Sequence, residues 1–362
     1  MTSMTTSTLG VVGTGWRAEF FVKLAGLLPE QLTLVGAATR RPETAELVGN
    51  RWGVPCYLSP AELVSHQRPD FVVSSVPWAA NPGVIGALVD TGTPVLTETP
   101  PAPDRDALRA LWAHLGHRNL VQVAEQYPLL PGHAARAALL RSSVIGTPTS
   151  VQVSSTHGYH AVALIRGFLG VGFEPVTVRS VRFTAPLVDP LTRGSWTGDD
   201  TPKEAGTTVA TMDFGAGRSG LYDFTDNQWH NQLRFRRIII RGSRGEIADD
   251  AVVRLTGPET ILRSSLVRSQ LGYDLNLDGF DTEHLSFDGR VVYRNPFLGL
   301  RLMDEEIAIA TLMLATASWA RGEGPPPYPL AQGCQDQLIS LAIDAATKTD
   351  LPVTVGAEEW AH

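Results

Sequence analysis

Gly13-Thr14-Gly15-Trp16-Arg17-Ala18 reads G-x-G-x-x-A, and it falls between an apolar run and a helical pattern. Few folds use that arrangement. Gly13 permits a tight turn, Gly15 lets the backbone approach a ligand, and Ala18 keeps the helix close to its sheet. The preceding run is LGVVG (9–13), and further apolar runs follow at 32–38, 71–76, 94–98 and 120–125. Each is short, β-rich and apolar on both faces, as buried parallel strands are. Amphipathic segments at 58–67, 82–91 and 104–116 lie between them. The alternation predicts an α/β Rossmann domain over residues 1–125, a doubly wound parallel sheet with right-handed crossovers.

The pattern changes after residue 125. A helix is expected over 131–142, then longer alternating runs at 149–156, 176–185, 207–214, 219–225, 236–242 and 290–295. Such alternation predicts a large, mostly antiparallel open sheet with one covered face. Helices over 303–321 and 333–348 close a C-terminal α/β domain of 126–362, the final helix being free to pack back on the first domain. The polar segment 186–206, rich in Gly, Asp and Thr, reads as a mobile loop near the site. Residues 1–7 read as a frayed tail.

A chain of 362 residues suits two domains. Its net charge of −7 argues against a polyanion partner such as nucleic acid. The nearest thing to a basic cluster, Arg234, Arg236 and Arg237 in LRFRRIIIRG, reads as a strand with a solvated edge. Cys56 and Cys334 show no metal or disulfide spacing, which fits a reducing cytoplasm. The first residues lack the pattern of a signal peptide, and no apolar run reaches the ~18 residues of a membrane helix. No metal site is expected: His157 and His160 come without a third ligand.

A helix N-terminus behind a glycine loop offers N–H groups and partial positive charge to phosphates. Gly13, Thr14, Gly15, Trp16 and Arg17 are therefore the expected pyrophosphate contacts of a dinucleotide. An NAD(H) site usually ends its second strand in an acidic residue. This chain has Thr39-Arg40-Arg41 there, which can donate to a 2′-phosphate, so NADP(H) is expected over NAD(H). The other reading of Arg40 and Arg41, the solvated start of a helix, stays open.

Further stretches resemble the glucose–fructose oxidoreductase/inositol dehydrogenase (GFO/IDH/MocA) family. Ser74-Ser75-Val76-Pro77 is similar to its strand-end loop beside the nicotinamide, and Glu98-Thr99-Pro100 to its Glu-Lys-Pro motif. Ala124-Glu125-Gln126-Tyr127 occupies the next strand end, and Ser143-Val144-Ile145-Gly146 resembles the entry to the second domain. His157-Gly158-Tyr159-His160 resembles the Asp-x-Gly-x-His stretch. The resemblance implies hydride transfer on polyol-like substrates, cofactor contacts from Ser75, Val76, Pro77 and Glu98, and assembly as a homodimer or homotetramer through the C-terminal sheet. It also marks a divergent member: Thr99 stands at the catalytic lysine, Thr156 at the Asp of the Asp-x-Gly-x-His stretch and Ala163 at a second Asp.

Hydride transfer belongs to the cofactor, and the protein must orient a small-molecule substrate and move one proton. His160 keeps the family position and is the first candidate acid–base. Tyr127, ending the fifth strand, is the second, and Thr99 can orient a water or hydroxyl. His157, Tyr159, Trp229 and His230 are candidate substrate contacts. Three readings follow: an NADP(H)-dependent oxidoreductase of a sugar, cyclitol or related hydroxy/keto compound; a reductase of a cyclic imine, for which a missing lysine is tolerable; or a non-catalytic cofactor-binding or regulatory protein.

Overall fold

Short runs that are apolar on both faces become strands buried between helices. In the computed structural model, which describes residues 6–272 and 279–361, the chain begins β1 (Ser7–Val12), α1 (Trp16–Leu27), β2 (Leu32–Ala38), α2 (Pro42–Trp52), β3 (Cys56–Tyr57), α3 (Pro60–Gln67), β4 (Phe71–Ser74), α4 (Asn81–Asp90), β5 (Val95–Thr97), α5 (Arg105–Leu115) and β6 (Val121–Val123). All pairings are parallel, in the order β3-β2-β1-β4-β5-β6. The order reverses between β1 and β4, the switch point where such sheets bind ligands. The sheet has one strand more than the periodicity indicated, because β3 is only Cys56 and Tyr57. Ser7 corrects the tail expectation: it is buried in β1 and its N–H donates to Gln31 O at 2.9 Å. Thr6 is exposed and its Oγ1 donates to Glu30 O at 2.9 Å, and residues 1–5 lie outside the described residues.

The chain continues α6 (Pro131–Arg141), β7 (Pro148–Val153), α7 (Gly158–Leu169), β8 (Val176–Leu187), β9 (Lys203–Asp213), β10 (Ser219–Thr225), β11 (Ile238–Gly242), β12 (Gly245–Ala248), β13 (Ala251–Gly257), β14 (Thr260–Ser265), β15 (Val267–Leu271), β16 (Asp281–Phe287), β17 (Arg290–Arg294), α8 (Asp304–Ala320), α9 (Leu330–Thr349) and β18 (Val353–Val355). Nine strands form one sheet, β14-β13-β12-β11-β7-β10-β9-β8-β18, and β15-β16-β17 form a second. The large sheet is antiparallel except where β10 lies parallel to β7. Along β8, Val176 and Val178 are buried, Ser180 reaches Thr347 of α9, and the alternate positions Val181 and Phe183 are exposed. One face is therefore covered and the other open.

Two expectations change. The segment 186–206 is not wholly a loop, since β8 and β9 claim its ends and a bridge between Leu191 and Trp196 closes the remainder. The strand after Arg237 is not an edge: β11 lies between β12 and β7.

The chain forms two compact units. One comprises the residues up to Leu129, Leu302–Gln337 and the residues from Glu359; the other comprises Leu130–Arg301 and Leu338–Glu358. A single boundary after residue 125 does not describe this division. The reason lies in what the first unit needs covered. In α8, Ile307, Ala308, Ile309 and Ala310 are consecutive and all buried, as in a helix enclosed on every side. At β6, Val123 N donates to Tyr328 O at 2.8 Å and Tyr328 N donates to Gln122 Oε1 at 3.0 Å, which pairs the sheet edge.

Candidate functional site

In the first unit the expected cofactor residues converge at the carboxyl ends of the parallel strands. Gly13 has φ +112°, and a Cβ there would stand 1.9 Å from Ser75 O, so only glycine fits. Gly15 differs: it is exposed, and a Cβ there would meet no protein atom within 4 Å. Its missing side chain leaves room in front of α1, whose N-cap it forms without a capping side chain. This open, uncapped helix end fits a pyrophosphate. Trp16 stands beside it, 55% exposed. Beyond β2, Thr39 N donates to Tyr57 O at 2.9 Å, while Arg40 and Arg41 are exposed and form no ion pair among the described residues.

Arg17 is engaged by two carboxylates. Its Nε donates to Glu98 Oε1 at 2.8 Å and its Nη1 to Glu305 Oε1 at 2.7 Å, with the rings of Trp16, Phe20 and Phe21 around its guanidinium. Burial alone lowers its basicity, but the two carboxylates outweigh that and the net direction is upward. Arg17 and Glu98 thus hold each other. Thr99 N donates to Glu98 Oε2 at 3.3 Å, and Tyr127 N to Glu125 Oε1 at 3.0 Å.

Sequence reasoning missed Asn81. It is buried, accepts from Ser74 Oγ at 2.8 Å and donates to Thr97 Oγ1 at 2.8 Å. It ties the ends of β4 and β5, from which Ser75-Val76-Pro77 and Glu98-Thr99 emerge. The available signal was Ser74 and Thr97, single polar residues ending apolar strands.

In the second unit the substrate candidates also gather. His157 is the N-cap of α7 and His160 lies in its first turn. Their rings meet edge-on at 5.2 Å, and Tyr159 packs edge-on against His160 at 5.4 Å. His157 lies 5.0 Å from Trp229, whose ring contacts His230 at 6.1 Å. His157 keeps an exposed side, yet burial of the rest and then His160 hold its pKa below the usual imidazole range.

Behind these rings stand two residues not foreseen, Tyr222 and Phe224, two apart on β10 and so on one face. Phe224 stacks on Trp229 at 5.3 Å and on Tyr222 at 6.2 Å. Tyr222 Oη accepts from Gly158 N at 3.1 Å and so fixes the start of α7. Burial pushes the Tyr222 phenol up to about 12, so it stays neutral. Thr156 is buried, and its hydroxyl has no hydrogen-bond partner among the described residues. No cluster of three or more potential metal-ligating side chains occurs among the described residues, and none of their helices is long and apolar enough to cross a membrane.

Residues 8–126 match a family model described as an oxidoreductase family with an NAD-binding Rossmann fold. No curated protein sequence matches the chain. Solved structures share the fold over nearly the whole length at low identity. An oxidoreductase from Agrobacterium radiobacter in complex with NAD+, L-tartaric acid and magnesium is 15% identical, with a TM-score of 0.69, covering 96% of this chain and 98% of its own. Levoglucosan dehydrogenase in complex with NADH and levoglucosan is 18% identical, with a TM-score of 0.69 and coverage of 97% and 100%. A myo-inositol dehydrogenase from Corynebacterium glutamicum is 18% identical, with a TM-score of 0.66 and coverage of 98% and 100%.

Proposed function

Because residues 8–126 belong to the GFO/IDH/MocA oxidoreductase family, with its NAD-binding Rossmann fold, we propose that this protein is an NADP(H)-dependent oxidoreductase acting on a sugar, cyclitol or related hydroxy/keto compound. One observation carries the cofactor preference: β2 is followed by Thr39 and by two exposed arginines with no described carboxylate partner, where an NAD(H) site keeps an acid.

Gly13 to Trp16 and the first turn of α1 would hold the pyrophosphate, and Thr39 and Arg40 the 2′-phosphate. Ser75, Val76 and Pro77 would line the nicotinamide end, with Arg17 and Glu98 bracing that edge. The bound nicotinamide supplies the hydride donor or acceptor. His160 holds or releases the substrate proton at an imidazole nitrogen. Trp229 would offer an apolar surface to ring C–H groups, with His157 beside it and Tyr159 acting behind His160. Thr99 can orient a hydroxyl but cannot act as an acid at neutral pH. That substitution favours a second reading, reduction of a cyclic imine, with the Tyr127 phenol as donor, since an imine needs less help in gaining its proton.

Titration with NADPH and NADH, followed by tryptophan quenching, tests the cofactor assignment. NADPH should bind much more tightly. Arg40→Ala should weaken NADPH about ten- to a hundredfold, the worth of one charge-assisted hydrogen bond, and leave NADH nearly unchanged. Equal losses for both cofactors, or tighter NADH binding by the parent protein, would sink the NADP(H) reading.

Assembly through the open sheet face is part of the same proposal. Val181 and Phe183 on that face are 40% and 58% exposed. Light scattering should return the mass of a dimer or tetramer, and a monomer at micromolar concentration would end that part.

A further inference from the structure

At the carboxyl ends of the parallel strands, the glycine loop, β5, β6 and α8 meet in one cluster of charges. Ser75 N donates to Val12 O at 2.8 Å and Glu98 N to Ser74 O at 2.9 Å, which sets Glu98 beside the switch point between β1 and β4. Arg17 links Glu98 to Glu305 of α8. The same Glu305 Oε1 accepts from Nε2 of Gln126, just past the end of β6, at 3.3 Å. The cluster therefore borders the crevice in which such a sheet holds its ligand. On the proposed reading the nicotinamide lies along Ser75-Val76-Pro77, the stretch next to Glu98.

Its charges do not cancel. One guanidinium meets two carboxylates, and the other donors to those carboxylates, Gln126 Nε2 and Thr99 N, are neutral. Lys23 is engaged elsewhere, with Glu306. The cluster is left with one excess negative charge. The side chains of Arg17 and Glu98 are only 13% and 15% exposed, and the rings of Trp16, Phe20 and Phe21 lie 5.4–5.9 Å from the guanidinium. Water screens such a charge less than it would on an open surface.

We propose that this cluster is the counter-charge of the oxidised nicotinamide, and that Glu305, which supplies the excess carboxylate, tightens binding of NADP+ relative to NADPH. This rests on the oxidoreductase reading and adds a direction to it. The oxidised ring carries a positive charge and the reduced ring none, so a net negative charge beside it stabilises one form only. Charge placed near the ring is one way a protein tunes its cofactor. With substrate bound, the balance moves toward hydride donation: the substrate's carbon gains the hydride with its electron pair, its oxygen or nitrogen gains a proton, and the ring is left oxidised. The cluster thus suits reduction of a carbonyl or imine better than oxidation of a hydroxyl.

Calorimetric titration of the full-length protein with NADP+ and with NADPH gives the ratio of their dissociation constants. If NAD(H) proves the tighter pair, the same ratio is read on it. Glu305→Gln removes the excess charge with little change of shape. It should shift the ratio about threefold to tenfold toward the reduced form, the scale of one partly screened charge acting across several ångströms. Glu305→Asp keeps the charge and should keep most of the parent's ratio. Glu98→Gln removes the other carboxylate and carries the same expectation as Glu305→Gln, so the test stands even where Glu305→Gln does not fold. A merely structural role for Glu305 weakens both forms alike. A ratio indifferent to both Gln substitutions, or shifted as far by Glu305→Asp as by Glu305→Gln, overturns this proposal alone. Binding of neither form removes the oxidoreductase reading and this proposal with it.

Discussion

His160→Ala should lower kcat about 10²- to 10⁴-fold, the usual worth of a general acid–base, and leave NADPH affinity within about twofold. The reasoning starts with position. His160 lies in the first turn of α7, held between the rings of His157 and Tyr159. That turn is itself fixed by Tyr222 Oη at Gly158 N. The resemblance implies two acids in this stretch, and this chain has Thr156 and Ala163 at those positions. Turnover is measured on whichever compound a panel of polyols, ketoses, sugar acids and cyclic imines identifies. A merely structural role would lower thermal stability along with activity; the acid–base role predicts instead loss of one limb of the kcat–pH profile in a variant that melts like its parent. Unchanged turnover would pass the proton to Tyr127, and Tyr127→Phe would then be the deciding variant.

A second large effect concerns stability. His133 of α6 is buried, packs against Phe168 and receives Arg136 Nη1 at its Nδ1, 3.4 Å away. An arginine only donates, so Nδ1 must keep its lone pair. Burial first, and then the Arg136 charge, push the His133 pKa down to about 3. In the unfolded chain it lies near 6.5. Between those values the unfolded state binds more protons, so the stability contributed by neutral His133 is full above about 6.5 and is lost as pH falls toward 3. Each pH unit in that window costs about 1.4 kcal/mol, so lowering the pH from 7.5 to 5 should remove about 2 kcal/mol through this group. Urea unfolding of the parent and of His133→Gln at both pH values isolates it. The parent should lose about 2 kcal/mol more than the variant, and identical losses would show that His133 protonates freely in the folded protein.

Much of the fold could be read in advance because strand and helix periods are local. The parallel strands of the first unit announced themselves as short apolar runs, and only β3, two residues long, carried too little pattern. Strands β12 to β16 and β18 were not foreseen: in β12 to β15 Arg, Ser, Thr and Glu occupy many positions and weak burial blurs the alternation, and β18 is only three residues long. In the candidate site, Gly13 was legible because its reason is conformational. Arg17 was assigned to a phosphate, yet its carboxylate partners stand 81 and 288 residues away in sequence. Asn81, Tyr222 and Phe224 were missed for the same reason. Their work is done on other elements, and nothing in their immediate neighbourhood marks it.

The strip at residues 328–329 that pairs the edge of β6 has a consequence for synthesis. The Rossmann sheet acquires its last partner only after roughly 200 further residues have been translated beyond Leu129. At roughly 5–20 residues per second, the nascent unit presents an unpaired strand edge for about 10–40 s. During that interval the half-built sheet is a template for other chains, and its safety rests on how quickly the ribosome reaches Tyr328.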